Sequence, residues 1–469
     1  MRIGQTSFTG FVSQFSASVV GFIATIYITR NLGSAVFGEY MLVIALVIWL
    51  QVIGILGIEN AVTKRLSETG ESDPYLTTGA GLVLAAFVVL SVVVLTFSKQ
   101  VNSYIGEPVA VYILGLLLAG MAFKFVTAAL SGQHKVHVAA LLQPVDRTVR
   151  SVLQILAVFF GLGLVGLLAG YVIAGIVATL VGLVYLSVGI ELPERRHLKG
   201  ITSYARYAWL GKFSSRAFSS MDTVVLGLFV TSSYIGYYEV AWNLASMLAI
   251  FSVAIAQALF PEMSRAASEG DPDRVGSFVA DGLSYTGLFL IPGLVGSLLV
   301  GDLVLRVYGN EFQQATTVLV VLVVARLVYE YGNQFLNGLN GLDRPDLAFR
   351  VNAVFVIANV GLNVSLIAAF GWTGAAIATA LSAVVTAVFA YRSFTHLVSV
   401  DLPLIEISKQ WIAAAGMAVV VYAGRLVLPN RVLVGVALVG VGAVSYLLLL
   451  VVLSGDFRAT VRRNLPLEA

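Results

Sequence analysis

The 469-residue chain contains no cysteine, which excludes disulfide scaffolds, thiolate metal sites and cysteine nucleophiles. Charge is scarce as well. Asp, Glu, Lys and Arg together make up 11% of the residues, where a soluble domain carries about 25%. With 58% hydrophobic residues and a mean hydropathy of +0.92, the chain reads as a membrane protein and not as two or three soluble domains. A net charge of +3 is too small and too dispersed for a nucleic-acid binder. No G-x-x-x-x-G-K-S/T phosphate loop occurs, so the chain has no ATPase site of its own. His134 and His137 stand three apart with no carboxylate or histidine cluster to complete a metal site, and His197 and His396 lie in separate loops. Gly161-Leu162-Gly163-Leu164-Val165-Gly166 reads as a tight turn, since the strand required before a dinucleotide fingerprint is missing. No cofactor is expected.

What remains is a series of apolar runs. Crossing the hydrocarbon core takes about 20 residues, and fourteen runs qualify: roughly 8–28, 40–58, 76–97, 109–130, 141–160, 164–189, 204–230, 236–260, 276–300, 312–331, 347–369, 372–392, 409–428 and 432–453. They are too long and too uniformly apolar for barrel strands, so an all-α polytopic membrane protein is expected. Two runs are the least apolar. Segment 141–160 opens with Gln143, Asp146, Arg147 and Arg150, and segment 204–230 contains Arg206, Lys212, Arg216 and Asp222. Residues 8–28 continue into Thr29-Arg30-Asn31-Leu32-Gly33 without a small-residue cleavage pattern, and so read as a retained first helix.

The basic residues set an orientation. With the N-terminus on the cytoplasmic side, Arg30, Lys99, Arg306, Arg425 and Arg431 fall outside, while Lys124, Lys212, Arg216 and Arg326 fall within spans. The other nineteen, Arg147 and Arg150 among them, fall inside. That asymmetry predicts an even number of spans with both termini cytoplasmic, in a cytoplasmic membrane.

The chain also repeats itself. An offset of 198 aligns Phe15 with Phe213, Gly38 with Gly236 and Tyr40 with Tyr238. Further on, Ser131-Gly132-Gln133-His134-Lys135 matches Asn340-Gly341-Leu342-Asp343-Arg344 in character, and Phe160-Gly161 matches Phe370-Gly371. The expected organisation is a six-helix bundle over 1–200, a second over 201–400 in the same membrane orientation, and an appended pair of helices with a cytoplasmic tail over 401–469. Structural repeats of this kind are a recurring basis for alternating access.

Charged side chains inside a bilayer are costly and mark functional positions. Lys124, between Phe123 and Phe125, either lines a cavity or snorkels to the cytoplasmic surface. Lys212 and Arg216 are four apart on one helical face, an arrangement suited to a phosphate group. Asp222 lies deeper in that span. Arg326 and Glu330, also four apart, either neutralise each other or form a movable gate, and Asp281 caps a helix or faces a cavity. Gln14 and Asn363 are weaker polar candidates.

Gln14-Phe15-Ser16, Arg30-Asn31-Leu32-Gly33, Phe37-Gly38-Glu39-Tyr40, the segment from Gly57 to Arg65 and Gly338-Leu339-Asn340-Gly341-Leu342-Asp343-Arg344-Pro345 follow one another along the chain. In this order the chain resembles the prokaryotic polysaccharide/oligosaccharide flippases of the multidrug/oligosaccharidyl-lipid/polysaccharide exporter superfamily. The resemblance implies a cavity, opening to either side, between spans 1–6 and 7–12. It implies a polyprenyl- or dolichyl-linked saccharide as substrate, moved for cell-surface glycan or glycoprotein assembly. Lys124, Lys212, Arg216 and Arg326 would hold its headgroup, with Asp222, Asp281 and Glu330 as coupling or gating residues for H+ or Na+. Membrane lipids are implied partners, as are glycosyltransferases and an oligosaccharyltransferase or polymerase. The alternatives are a cation-coupled drug exporter of the same superfamily, which would favour acidic or aromatic sites, and an integral-membrane glycosyltransferase or polymerase. The latter would carry a clustered acid/base or metal site, which is not seen in the sequence. The protein is therefore expected to be a transporter and not an enzyme.

Overall fold

A computed structural model describes residues 3–464 apart from 56, 69–71 and 190; side chains at 3–16, 72, 204, 206–217, 219 and 460–464 are outside the described set. The described secondary structure is helical throughout: sixteen α-helices and one short 3-10 helix. Lipid offers the backbone no hydrogen-bond partner, so each apolar run closes its own N–H and C=O groups in a helix. Nine helices are long and apolar enough to cross a membrane among the described residues, or ten if the bent pair α9 (Ser232–Leu248) and α10 (Ile250–Ser268) counts as one span. The protein is an all-α, multi-pass membrane protein.

Contacts divide the chain into two compact units, Met1–Gly236 and Tyr237–Ala469. The first begins with α1 (Ile3–Ile55), 53 residues broken at Gly33, whose φ of 77° departs from helical geometry. A straight helix of that length would reach about 80 Å, far beyond the roughly 30 Å core, so the break is required if both halves are to lie in the bilayer. There follow α2 (Ile58–Glu68), α3 (Ser72–Thr96), the short α4 (Ser98–Ile105), α5 (Ala110–Gly132), α6 (Val136–Phe159), α7 (Gly163–Tyr185) and α8 (Arg195–Phe229). The helices α6, α7, α5 and the second half of α1 pack closely through small residues. A Cβ on Gly175 of α7 would lie 3.1 Å from Ala119 of α5, and Gly120 leaves room for Gln51 of α1, whose amide donates to the Leu116 carbonyl at 3.3 Å. The helix α8 joins this unit. It opens with a capping box in which the Glu194 backbone donates to His197 Nδ1 at 3.0 Å, so His197 is buried as a structural residue.

Within α6 the structure moves two arginines. Arg147 and Arg150, counted above with the cytoplasmic loops, sit about 16 and 21 Å along the helix from Val136. The helix starts earlier than hydropathy indicates because Gln143, Pro144 and Asp146 mask its first half.

One crossing in this unit is reciprocal. A Cβ on Gly38 would strike the Ser232 carbonyl oxygen, and a Cβ on Gly236 would strike the Ser34 carbonyl oxygen. Each backbone fits against the other only because both positions lack a side chain.

In the second unit, α11 (Pro272–Leu305) packs beside α10, α12 (Thr316–Gly341) and the C-terminal pair α14 (Leu404–Val427) and α15 (Val432–Leu453), while α12 lies along α13 (Pro345–Thr395). The 51-residue α13 breaks at Gly371, where φ is 60°, for the same reason of length as α1. Two apolar cores form here. One joins Leu290 and Ile291 to Met417, Val421, Leu438 and Leu450, and the other joins Val279 and Leu339 to Phe394 and Val398. Arg425 of α14 grips Asp302 of α11 with both ends of its guanidinium, at 2.6 and 2.7 Å. The last described helix, α16 (Gly455–Asn464), follows α15. Elsewhere large apolar side chains point outward, with Val184 and Leu433 both 82% exposed, as lipid-facing positions require.

The crossing gives a direct test. Gly38→Ala should destabilise the protein by about 1–3 kcal/mol through overpacking against carbonyl oxygen, whereas Gly81→Ala, which meets nothing within 4 Å, should be neutral or slightly stabilising. Melting temperatures in detergent compare the two; equal melting for both variants contradicts the packing described.

Candidate functional site

The charged residues inside the helices divide between the two units. In the first, Lys124 lies about 21 Å along α5 and is half-buried, too deep to be a helix-end residue. Lys212 and Arg216 fall on consecutive turns of α8, but their side chains are outside the described set, as is that of Gln14. Asp222, further along α8, is buried at 4% exposure beside Ser220 and Thr223. The elements that cover this end of α8 are identifiable: Trp49 of α1 donates its indole N–H to the Ser220 carbonyl at 3.4 Å, and the Tyr104 hydroxyl of α4 donates to the Val224 carbonyl at 2.5 Å.

A second charged group in this unit is one that the sequence marks only as the polar opening of segment 141–160. Asp146 and Arg150 of α6 form an ion pair, and the Arg150 guanidinium lies 3.7 Å over the ring of Tyr171 on α7. One turn further on, Gln154 donates to the Tyr40 hydroxyl at 2.9 Å and to the Leu167 carbonyl at 3.1 Å. The spacing of 146, 150 and 154 places these side chains on one helical face. That i, i+4 pattern was the available signal, hidden because the charges read as a membrane boundary.

In the second unit the structure brings Arg326 and Glu330 together at 3.4 Å, with side-chain exposures of 16% and 2%. The Arg326 guanidinium lies 5.1 Å from the ring centre of Trp242. Gln334, the next turn of α12, donates to Thr286 at 3.1 Å and approaches Ser252 at 3.5 Å. Residues 326, 330 and 334 therefore form a polar stripe against α9, α10 and α11. A second buried polar group lies on α13, where Asn359, Asn363, Thr379 and Ser382 are all fully buried and Asn363 donates to the Asn359 carbonyl at 3.0 Å. Asn359, one turn before Asn363, is a further residue that sequence reading passed over.

Asp281 stands elsewhere, lining a cavity of about 130 Å³ with Glu406, Gln410 and Ser454. Glu406 is held there by Lys409 at 2.5 Å and by the Ser454 hydroxyl at 2.6 Å. Among the described residues, no group of three His, Cys, Asp or Glu side chains is placed to hold a metal ion.

Long apolar helices, two of them broken at glycines, with ion pairs along α6 and α12, define a polytopic membrane protein. Its fold is similar to that of a lipid II flippase, MurJ, solved in an inward closed conformation: the TM-score is 0.80 at 15% identity, covering 97% of this chain and 100% of that one. An inward-facing multidrug resistance MATE transporter of the MOP superfamily aligns with a TM-score of 0.65 at 14% identity over 81% of this chain and 94% of its own. At these identities the likeness is one of fold. In sequence, residues 3–267 match the family described as polysaccharide biosynthesis protein. The "Probable flippase AglR" of Haloferax volcanii is 33% identical over 99% of this chain and 98% of its own. The "Probable low-salt glycan biosynthesis flippase Agl15" of the same organism is 28% identical over 90% of each. The chain belongs to the polysaccharide/oligosaccharide flippase family of the multidrug/oligosaccharidyl-lipid/polysaccharide exporter superfamily.

The Arg326–Glu330 pair yields a prediction. Arg326→Met strands the buried Glu330 carboxylate and should cost about 3–5 kcal/mol, and Arg326→Met with Glu330→Leu should recover most of that loss. Thermal unfolding of the three proteins in one detergent checks this; a double variant no more stable than the single one contradicts a pairing role.

Proposed function

We propose that this transporter moves a lipid-linked oligosaccharide or polysaccharide precursor across the cytoplasmic membrane, for assembly of a cell-surface glycan or glycoprotein. The observation that carries this reading is the end-to-end sequence similarity to a flippase, at 33% identity over 99% of the chain. The physical problem fits the molecule. A charged, hydroxyl-rich headgroup loses its hydration in hydrocarbon, and polar groups inside a helical protein replace it while the lipid tail stays in the bilayer. No covalent chemistry is needed. The drug-exporter alternative shares the fold, but the extended sequence matches are to flippases.

In this reading the chain has fourteen spans: two six-helix repeats, over 1–200 and 201–400, then the pair α14 and α15 with the cytoplasmic tail over 401–469. The breaks at Gly33 and Gly371 support two spans in each of α1 and α13. The duplication is supported by backbone conformation at matched positions. His134 and Asp343 are the non-glycine residues with positive φ among those described, at 60° and 55°, and both fall at the fourth position of the matched loop segments. Gly161 and Gly371, also matched, have φ of 72° and 60°. The reciprocal contact of Ser34 and Gly38 with Ser232 and Gly236 pairs residues related by the same offset of 198. Both termini are cytoplasmic in this arrangement.

Lys124, Lys212, Arg216 and Arg326 hold the phosphate and sugar headgroup, and Asp222, Asp281 and Glu330 serve coupling to H+ or Na+ or gating. The lipid carrier is a polyprenyl or dolichyl chain. Glycosyltransferases supply the substrate, and an oligosaccharyltransferase or polymerase consumes it.

The test is transport. Purified protein in liposomes should move a polyprenyl-diphosphate-linked oligosaccharide between leaflets, scored by access of a soluble glycosidase or lectin. Lys212→Ala with Arg216→Ala should slow this by about tenfold or more, the loss expected when charge-assisted hydrogen bonds to an anion are removed. No movement of any lipid-linked glycan by the unmodified protein contradicts the function, and undiminished transport by the double variant contradicts the site.

A further inference from the structure

The residues around Arg147 form a charged group that none of the assignments above uses. On α6 the outward stripe is Leu141, Val152, Leu156 and Phe159, at 45%, 47%, 44% and 71% exposure. At about 100° per residue, Arg147 projects to the opposite side from Val152 and Leu156. Beyond Arg147 that side is buried, at Ser151 and Gln154, while before it Ala140 and Gln143 are exposed. Ser151, one turn beyond Arg147, lies 3.9 Å from where a Cβ would stand on Gly21 of α1, and α6 packs extensively on α1 and α7.

Three charges share this stretch. Asp146 is 5% exposed and is committed to Arg150, which is further fixed by the ring of Tyr171 at 3.7 Å. The Nε of Arg150 is buried without a hydrogen-bond partner among the described residues. Arg147 is half-buried, about 16 Å along a 24-residue helix, and its side chain has no hydrogen bond or ion pair among the described residues. In the fourteen-span arrangement proposed above, the group therefore carries a net positive charge within a membrane-spanning helix, where its face passes from exposed to buried. Such a charge is stable only beside water or an anion.

We propose that Arg147 is an oxyanion ligand of the transported headgroup, and that Asp146 and Arg150 are positioning residues that set the local charge and hold the adjacent guanidinium. The inference rests on the flippase reading for the origin of its ligand and deepens it by placing an anion subsite on α6. Two parts of a lipid-linked glycan offer the right chemistry: the phosphate or diphosphate ester at the carrier, and the carboxylate of an acidic sugar. Arginine's planar fork suits either. Tyr171 spreads and shields the charge of Arg150, leaving Arg147 as the group open to a ligand. Asp146 keeps the net charge near one, so an anion is held without being trapped.

The experiment uses the full-length protein in nanodiscs, titrated separately with inorganic pyrophosphate and with glucuronate, alongside the liposome transport assay. Pyrophosphate should bind the unmodified protein, and Arg147→Gln should weaken it by about tenfold or more, with Arg147→Lys intermediate and melting temperatures unchanged. Binding of glucuronate in place of pyrophosphate, with the same dependence on Arg147, assigns the subsite to an acidic sugar. Asp146→Asn raises the local positive charge and should tighten anion binding, which keeps the proposal testable if Arg147→Gln does not fold. Equal anion binding by Arg147→Gln and the unmodified protein overturns the proposal, as does unchanged or weaker binding by Asp146→Asn. The two readings fail separately. Normal transport by Arg147→Gln removes the subsite and leaves the flippase intact, whereas Arg147-dependent pyrophosphate binding without transport of any lipid-linked glycan leaves the subsite and removes the flippase.

Discussion

A charge placed inside a membrane helix must be matched by an opposite charge or given water, and the polar architecture of this protein follows from that requirement. Arg326 and Glu330 meet it by pairing at 3.4 Å with Trp242 as cover. Asp146 and Arg150 meet it in the same way, one turn apart on α6, with Tyr171 in the role of Trp242. Each unit thus builds an i, i+4 ion pair and closes it with an aromatic ring. Arg147 lies about 16 Å along α6, and its retention in so apolar a chain is the physical argument for the anion subsite proposed there.

Glycine performs a different task. The bilayer limits how far a helix can run before it must turn back, and the two helices of more than 50 residues break at Gly33 and Gly371. At Gly38 and Gly236 the missing side chain permits backbone contact with Ser232 and Ser34. Association inside a membrane gains little from the hydrophobic effect, so close approach of this kind, with dispersion and dipole contacts, has to hold helices together. The bidentate Arg425–Asp302 pair fastens α14 to α11 where a purely apolar contact would leave the pair free to slide.

Much of this architecture is legible in the sequence, and the gaps have physical causes. The apolar runs, Arg326 with Glu330 and the depth of Lys124 follow from linear spacing, because helical period and bilayer thickness convert residue number into position. The same conversion fails for α6. Gln143, Asp146, Arg147 and Arg150 lower the local hydropathy, so the apolar run starts at 141 where the helix starts at Val136, and both arginines are counted with the cytoplasmic side although they lie within the helix. Asn359 is hidden for a related reason: an uncharged amide barely disturbs an apolar run, and only packing shows it to be fully buried. Asp281, which the sequence leaves as a helix cap or a cavity residue, lines a cavity beside Glu406.

The absence of cysteine makes the central claim, that the charges held inside each helical unit are reached by water, directly measurable. Single cysteines at 124, 147 and 330 would be compared with lipid-facing cysteines at 184 and 436 for reaction with a membrane-impermeant thiol reagent in liposomes. The account predicts labelling at 124 and 147, slowed by a lipid-linked oligosaccharide, and none at 184 and 436. Labelling at 184 and 436 with none at 124 and 147 would contradict it.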